Sequence, residues 1–266
     1  MSKTTKRYFE LDREYADRFD QLSETEKALL GLPYVANDPP LISARLRARR
    51  LLYAFNTSAP SAVEPPALAP GERPKGVGGS ADDAGGAGGG GVQFDAMGPE
   101  RRQIFAELLG IERALVDRVE VEPPFYCDYG HNIKLEGSFY CNFNTSILDC
   151  AEVRIGTGTG FGPNVHLYAG THSTAVSERE HGIERALPIR IGRNCWLGGG
   201  TMVNAGVTIG DNCTIGAGSV VTKDIPPNSI AVGVPCKVIR TLEPFEMPQG
   251  PEGYEKARQG LGKFVQ

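Results

Sequence analysis

Long apolar runs are what this chain has least of. The start, MSKTTKRYFELDREY, carries no apolar core of the secretory type, and no later stretch approaches the roughly 20 residues of a membrane helix. A soluble, cytoplasmic protein with no membrane partner is expected. Charge of one sign is also lacking: 28 Lys and Arg against 32 Asp and Glu leave a net charge of -4. That balance offers no basis for a nucleic-acid partner, and Arg45-Arg47-Arg49-Arg50 and Arg101-Arg102 read as ordinary helix surface. Six cysteines, at 127, 141, 150, 195, 213 and 236, form no CxxC pair, so buried thiols are expected in place of a disulfide framework. Without a secretory signal the sequons at Asn56, Asn144 and Asn212 carry no weight.

What is present falls into distinct regions. Residues 1–22 form a leader. Residues 23–110 read as a helical region, in which SETEKALLG begins with a capping box from Ser23 to Glu26 and stops at Gly31. DPPLISARLRARRLLYAFN starts a second helix, with Asp38 or a neighbour as cap and proline in the first turn. ERRQIFAELLG at 100–110 is a third. Between them, 57–95 is rich in Pro, Gly and Ala, and GGSADDAGGAGGGG has almost nothing able to pack, which predicts a flexible insert. A tail follows residue 242.

From about residue 111 to 242 the period changes. Ile191, Leu197, Val203, Ile209, Ile215 and Val221 recur every six residues, with Gly or Ala after most of them. Leu135, Cys141 and Ile147 form an earlier run, and Ile155, Phe161 and Leu167 another. A six-residue period is neither helical nor simple strand alternation; it predicts a parallel β-helix, three units to a triangular coil, with apolar side chains stacked inward and small neighbours at sharp corners. The step of eight from Ile147 to Ile155 demands a local deformation. After Leu167 the repeat stops and resumes only at Ile191, so 170–187 is expected to leave the coil as a loop carrying His172 to the edge of a cleft.

The motifs YGHNIKLEGSFYCNFNTSILD (129–149), LYAGTH (167–172), PIRIGRNCWLGGG (188–200) and VTIGDNCTIGAGSVVTKDIPPNSIAVGVPCKVI (207–239) together resemble the maltose and galactoside O-acetyltransferase family, including the nodulation sugar acetyltransferases. The resemblance implies an all-β fold, a left-handed parallel β-helix with an N-terminal helical subdomain. The handedness comes from the resemblance alone, against the usual crossover preference. It further implies a homotrimer with sites between subunits, acetyl-CoA as cosubstrate without a metal, and transfer of acetyl to a hydroxyl of a sugar or other small acceptor.

Residue by residue, the resemblance makes His172 the general base, a role imidazole can fill near neutral pH. Asn142 is implied beside the acceptor, either orienting a hydroxyl or stabilising developing oxyanion charge. Asp149, Asp128 and Asn37 are candidate acceptor contacts; Ala36 stands where an acidic contact would be compared. Trp196, Gly198, Gly218, Thr222 and Lys223 are candidate cofactor residues, with Lys237 and Arg240 extending a basic patch. The glycines would let an extended pantetheine chain approach the backbone. Competing readings are a hexapeptide-repeat acyltransferase with another hydroxyl or amino acceptor, a noncatalytic trimeric β-helix, and zinc hydration chemistry drawing on His131, His166 and His172 by residue type only.

Overall fold

Three columns of buried side chains, one per face of a parallel β-helix, account for the six-residue period. The computed structural model of the chain describes residues 3–59 and 97–242; nearly all of the 57–95 insert and the tail after 242 lie outside the described residues. Leu135, Ile155, Ile191 and Ile209 stack in a four-stranded sheet. Val121, Cys141, Phe161, Leu197, Ile215 and Ala231 stack in a seven-stranded sheet. Cys127, Ile147, Leu167, Val203 and Val221 stack in a five-stranded sheet. All of these are buried. Coil-to-coil pairing is parallel, and the last rung is closed by Ser229–Val232 pairing antiparallel with Lys237–Thr241.

The glycine that follows many core positions of the four- and seven-stranded sheets serves a purpose other than turning. A Cβ built on Gly198 would stand 2.6 Å from the Ala217 nitrogen of the next coil and 3.0 Å from the Ile215 carbonyl oxygen. Glycine is there because neighbouring coils approach closely. At two corners the turn itself falls to asparagine: Asn144 and Asn164 lead from the seven- to the five-stranded sheet and Asn194, Asn212 and Asn228 enter the seven-stranded sheet, all at φ between 54 and 62°.

The third corner, between the five- and four-stranded sheets, changes size along the stack. Cys127 to Leu135 and Ile147 to Ile155 each take eight residues, so the deformed step occurs twice. The two enlarged turns lie against each other, because the Asp149 carboxylate accepts hydrogen bonds from the backbone N–H groups of Asp128 (3.0 Å), Tyr129 (2.8 Å) and Asn132 (3.3 Å). In the next coil the same corner opens into the long segment between Leu167 and Ile191.

That segment is an ordered arm. Gly170–His172 and Ile183–Ala186 form an antiparallel hairpin, and the second strand also pairs with Tyr34–Val35 of the N-terminal region. The N-terminal region comprises α1 (Lys3–Glu14), a 3-10 turn (Ala16–Gln21), α2 (Glu24–Leu30) and α3 (Pro39–Thr57). After the insert come α4 (Gly98–Leu109) and α5 (Arg113–Val116), and the arm carries the short α6 (Val176–Glu180). The capping box is formed: Ser23 Oγ accepts from the Glu26 N–H and the Glu26 carboxylate accepts from the Ser23 N–H, a motif worth about 1 kcal/mol. Gly31, at φ 82°, ends α2. Asp38 stands at the cap of α3 without a side-chain capping bond, leaving its first turn to proline.

One surface expectation is corrected. Arg101 and Arg102 are buried; Arg102 donates to the Val116 and Val119 carbonyls at 2.8 Å and pairs with Glu120, and Arg101 donates to Ser58 Oγ at 2.9 Å. Arg102 ties α4 to the base of the coil, where backbone carbonyls would otherwise lack donors, and Arg101 ties it to the end of α3.

Candidate active site

Where the arm leaves the coil, the residues one step beyond the buried column of the five-stranded sheet form a row: Asp128, Leu148, Tyr168, Asn204 and Thr222. All five line one cavity of about 1140 Å³, bounded on its other sides by the arm and the N-terminal helices. His172, Asn37, Arg45, Arg49 and Glu184 line it too.

His172 reaches this cavity because the hairpin holds it. Gly170 lets the arm cross the enlarged corner, where an added Cβ would stand 2.8 Å from Cys150 Sγ. Two residues later the register sets His172 opposite Glu184, whose Oε1 lies 3.9 Å from the imidazole Nε2. The other carboxylate oxygen accepts from Tyr34 Oη at 2.8 Å, across the second edge of the same strand. Burial, with Cys150 and Glu184 nearby, pushes the Tyr34 phenol far above its ordinary value, so it remains a donor. The next residue, Arg185, forms a bidentate pair with Asp12 of α1 at 2.9 and 3.0 Å.

Around the floor, Arg45 donates to Tyr129 Oη (2.8 Å) and to the Ala36 carbonyl (2.6 Å), bracing α3 against the enlarged turns. Cys150 Sγ donates to Asp128 Oδ2 at 3.4 Å, and burial pushes both groups up. Asp128 and Asn37 both line the cavity.

Asp149 does not. It is fully buried, is absent from the cavity wall and spends its carboxylate on the three backbone donors of the 128–132 turn. Its role as a direct acceptor contact is corrected to that of a brace beneath Asp128, because its oxygens are buried away from the cavity and turned to backbone N–H groups. Burial pushes its carboxyl up to about 6 despite those donors.

A single chain does not bring Asn142 to His172. Asn142 follows Phe139–Cys141 in the seven-stranded sheet, outside the cavity wall, donating to Tyr140 Oη at 2.9 Å and accepting from the Phe143 N–H at 2.8 Å. Of the cofactor candidates, Thr222 lines the cavity and Lys223, Lys237 and Arg240 are exposed. Trp196 is 46% exposed on the seven-stranded sheet. Gly198 is buried, and coil stacking accounts for it in place of a pantetheine path. Gly218, at φ 70°, differs: a Cβ there meets nothing within 4 Å. Among the described residues no group of three or more His, Cys, Asp and Glu side chains could hold a metal ion, and no helix is long and apolar enough to cross a membrane.

Sequence reasoning missed Glu184, Tyr34, Arg185 and Asp12. Nothing local marks them, since their roles come from the register of a hairpin and the docking of helices distant in the chain.

A parallel β-helix of six-residue units, with an arm that carries a histidine to a cavity beneath a helical cap, defines a hexapeptide-repeat protein. Residues 188–223 match the bacterial transferase hexapeptide (six repeats), and 27–111 match the maltose acetyltransferase hexapeptide capping motif. The chain is 37% identical over 218 residues to the galactoside O-acetyltransferase of Escherichia coli K12, spanning 82% of this chain and 89% of that one. Its fold superposes on a maltose O-acetyltransferase from Clostridium difficile 630 with a TM-score of 0.66 and 34% identity, over 84% of this chain and 99% of that one. On a galactoside acetyltransferase in complex with coenzyme A the values are 0.62 and 33%, over 84% and 92%. The chain belongs to the maltose and galactoside O-acetyltransferase family, acetyl-CoA-dependent acetyltransferases built on a left-handed hexapeptide-repeat β-helix.

Proposed function

We propose that the chain transfers the acetyl group of acetyl-CoA to a hydroxyl of a sugar, with His172 as general base. One juxtaposition carries the reading: the arm presents His172 to a cavity whose wall continues into Thr222, the first residue of the TKD turn. Acceptor hydroxyl and thioester must meet at the imidazole, and a cavity spanning both elements permits that.

His172 takes the hydroxyl proton as the acceptor oxygen attacks the thioester carbonyl carbon. The carbon–oxygen bond forms, the carbon–sulfur bond breaks, and the proton passes from the imidazolium to the departing sulfur. Glu184 faces the imidazolium while it exists, and Tyr34 keeps the carboxylate from turning away. A positioned general base is worth about 10²- to 10⁴-fold in rate.

The residues toward the TKD turn fit an extended, anionic thioester carrier. Gly218 leaves open space, Trp196 offers an exposed indole, and Lys223, Lys237 and Arg240 present positive charge to solvent. Asn142 is supplied by a neighbouring copy in a homotrimer, consistent with exposed Tyr126, Phe143 and Met202 on the coil faces. Six free, buried cysteines suit a reducing compartment, and we assign the cytoplasm.

The test is an acceptor screen with acetyl-CoA, following free thiol and identifying the product by mass. Acetylated sugar is expected. A purified protein that binds CoA but acetylates only amines would defeat the sugar-hydroxyl reading.

A further inference from the structure

The cavity is larger than one acceptor ring requires: at about 1140 Å³ it exceeds the roughly 300–1,000 Å³ of small-molecule clefts. Its wall also changes character. Near His172 it is lined by Asp128, Glu184 and Asn37, whereas α1 contributes Tyr8 and Phe9.

Helix α1 is docked firmly enough to form a wall. Asp12 pairs bidentately with Arg185, the Arg185 guanidinium lies 5.1 Å from the Tyr8 ring centre, and Leu11 is buried against Leu32 and Leu187. The hairpin strand that faces His172 through Glu184 therefore holds α1 through the next residue. One feature of that wall has no use within the described residues: Phe9 is 51% exposed although it borders the cavity. An aromatic side chain open to a polar cleft is what the apolar face of a pyranose ring packs against.

We propose that α1 forms a second acceptor subsite, in which Phe9 takes the apolar face of a second pyranose ring. The inference rests on the sugar-hydroxyl reading and extends it: disaccharides are better acceptors than the free hexose. Phe9 contributes to binding the ring that does not react, leaving the chemistry to His172.

The experiment uses the full chain with a hexose and with a disaccharide carrying the same hexose at its reacting end. Free CoA is measured, and KM and kcat are obtained for each. In the wild type the disaccharide has the lower KM. F9A erases that advantage by raising the disaccharide KM relative to the hexose KM roughly 3- to 10-fold, the range of an aromatic packing contact. F9W restores it, and a melting curve of each variant reports its fold. If F9A shifts both acceptors equally, or shifts neither, the subsite is overturned while sugar acetylation stands. A wild type that acetylates neither sugar overturns both.

Discussion

Glu184 lies directly across the arm hairpin from His172, its Oε1 3.9 Å from the imidazole Nε2 and its Oε2 bonded by Tyr34. The imidazole, at the end of a long excursion from the coil, thereby faces a carboxylate that Tyr34 holds in place. E184Q preserves shape but removes the charge facing the imidazolium. Because the imidazole is well exposed, the expected loss is modest, about 10-fold in kcat, with the KM for acetyl-CoA little changed. Y34F should move kcat in the same direction by less, and the double variant should lose less than the two separately, since both act through one imidazole. Steady-state kinetics on the four proteins decide the matter.

Replacing His172 by alanine removes the base and leaves the coil columns intact. Turnover should fall by about 10²- to 10⁴-fold, while the melting temperature and sedimentation stay those of the wild type. Equal turnover in the two proteins would remove His172 from the reaction.

The separation of Asn142 from His172 within one chain makes a mixing experiment informative. H172A and N142A homotrimers should each be nearly inactive. Unfolded together in equal amounts and refolded, the whole population should recover about a quarter of wild-type activity, because one site in each mixed trimer receives both wild-type residues from two different neighbours. No recovery in verified mixed trimers would place both residues in one chain's site or remove Asn142 from it.

Asp149 makes its prediction through stability. An aspartate in the unfolded chain titrates near 3.9, and burial raises this one to about 6 in the fold. Between those values the folded chain binds the proton more tightly. Stability from this group is therefore fully present below about pH 4, declines as pH rises toward 6 and is flat above, by about 2–3 kcal/mol in all. Urea titrations across that window should show the decline in the wild type and its absence in D149N.

Gly198 and Gly218 should separate. G198A drives a Cβ into the next coil's backbone and should cost stability on the order of 2 kcal/mol or more. G218A has space but an unfavourable φ, costing about 1–2 kcal/mol, and its further signature should be a raised KM for acetyl-CoA. Thermal melts alongside CoA titrations distinguish them.

The coil was legible because its code is local. One apolar residue every six states which side chains face inward, and the glycine that follows many of them states that neighbouring backbones approach closely there. The interruption after Leu167 likewise marks where an arm must leave. The wall around His172 was not legible. Arg185 and Asp12 are 173 residues apart, and Glu184 meets His172 only through the register of a hairpin. Asp149 shows the limit of residue type: a carboxylate in an aligned motif looks like a ligand contact until its oxygens are seen facing backbone N–H groups.

By itself the sequence determined the repeat, the capped helices, the family and the histidine that leaves the coil. These depend on side-chain chemistry at short, regular spacing. Tertiary structure alone decided which polar groups surround that histidine, which carboxylate braces a turn instead of a ligand, and which helix closes the cavity. Each of these is a contact between distant segments, formed where stacked corners enlarge and the docked helices meet them.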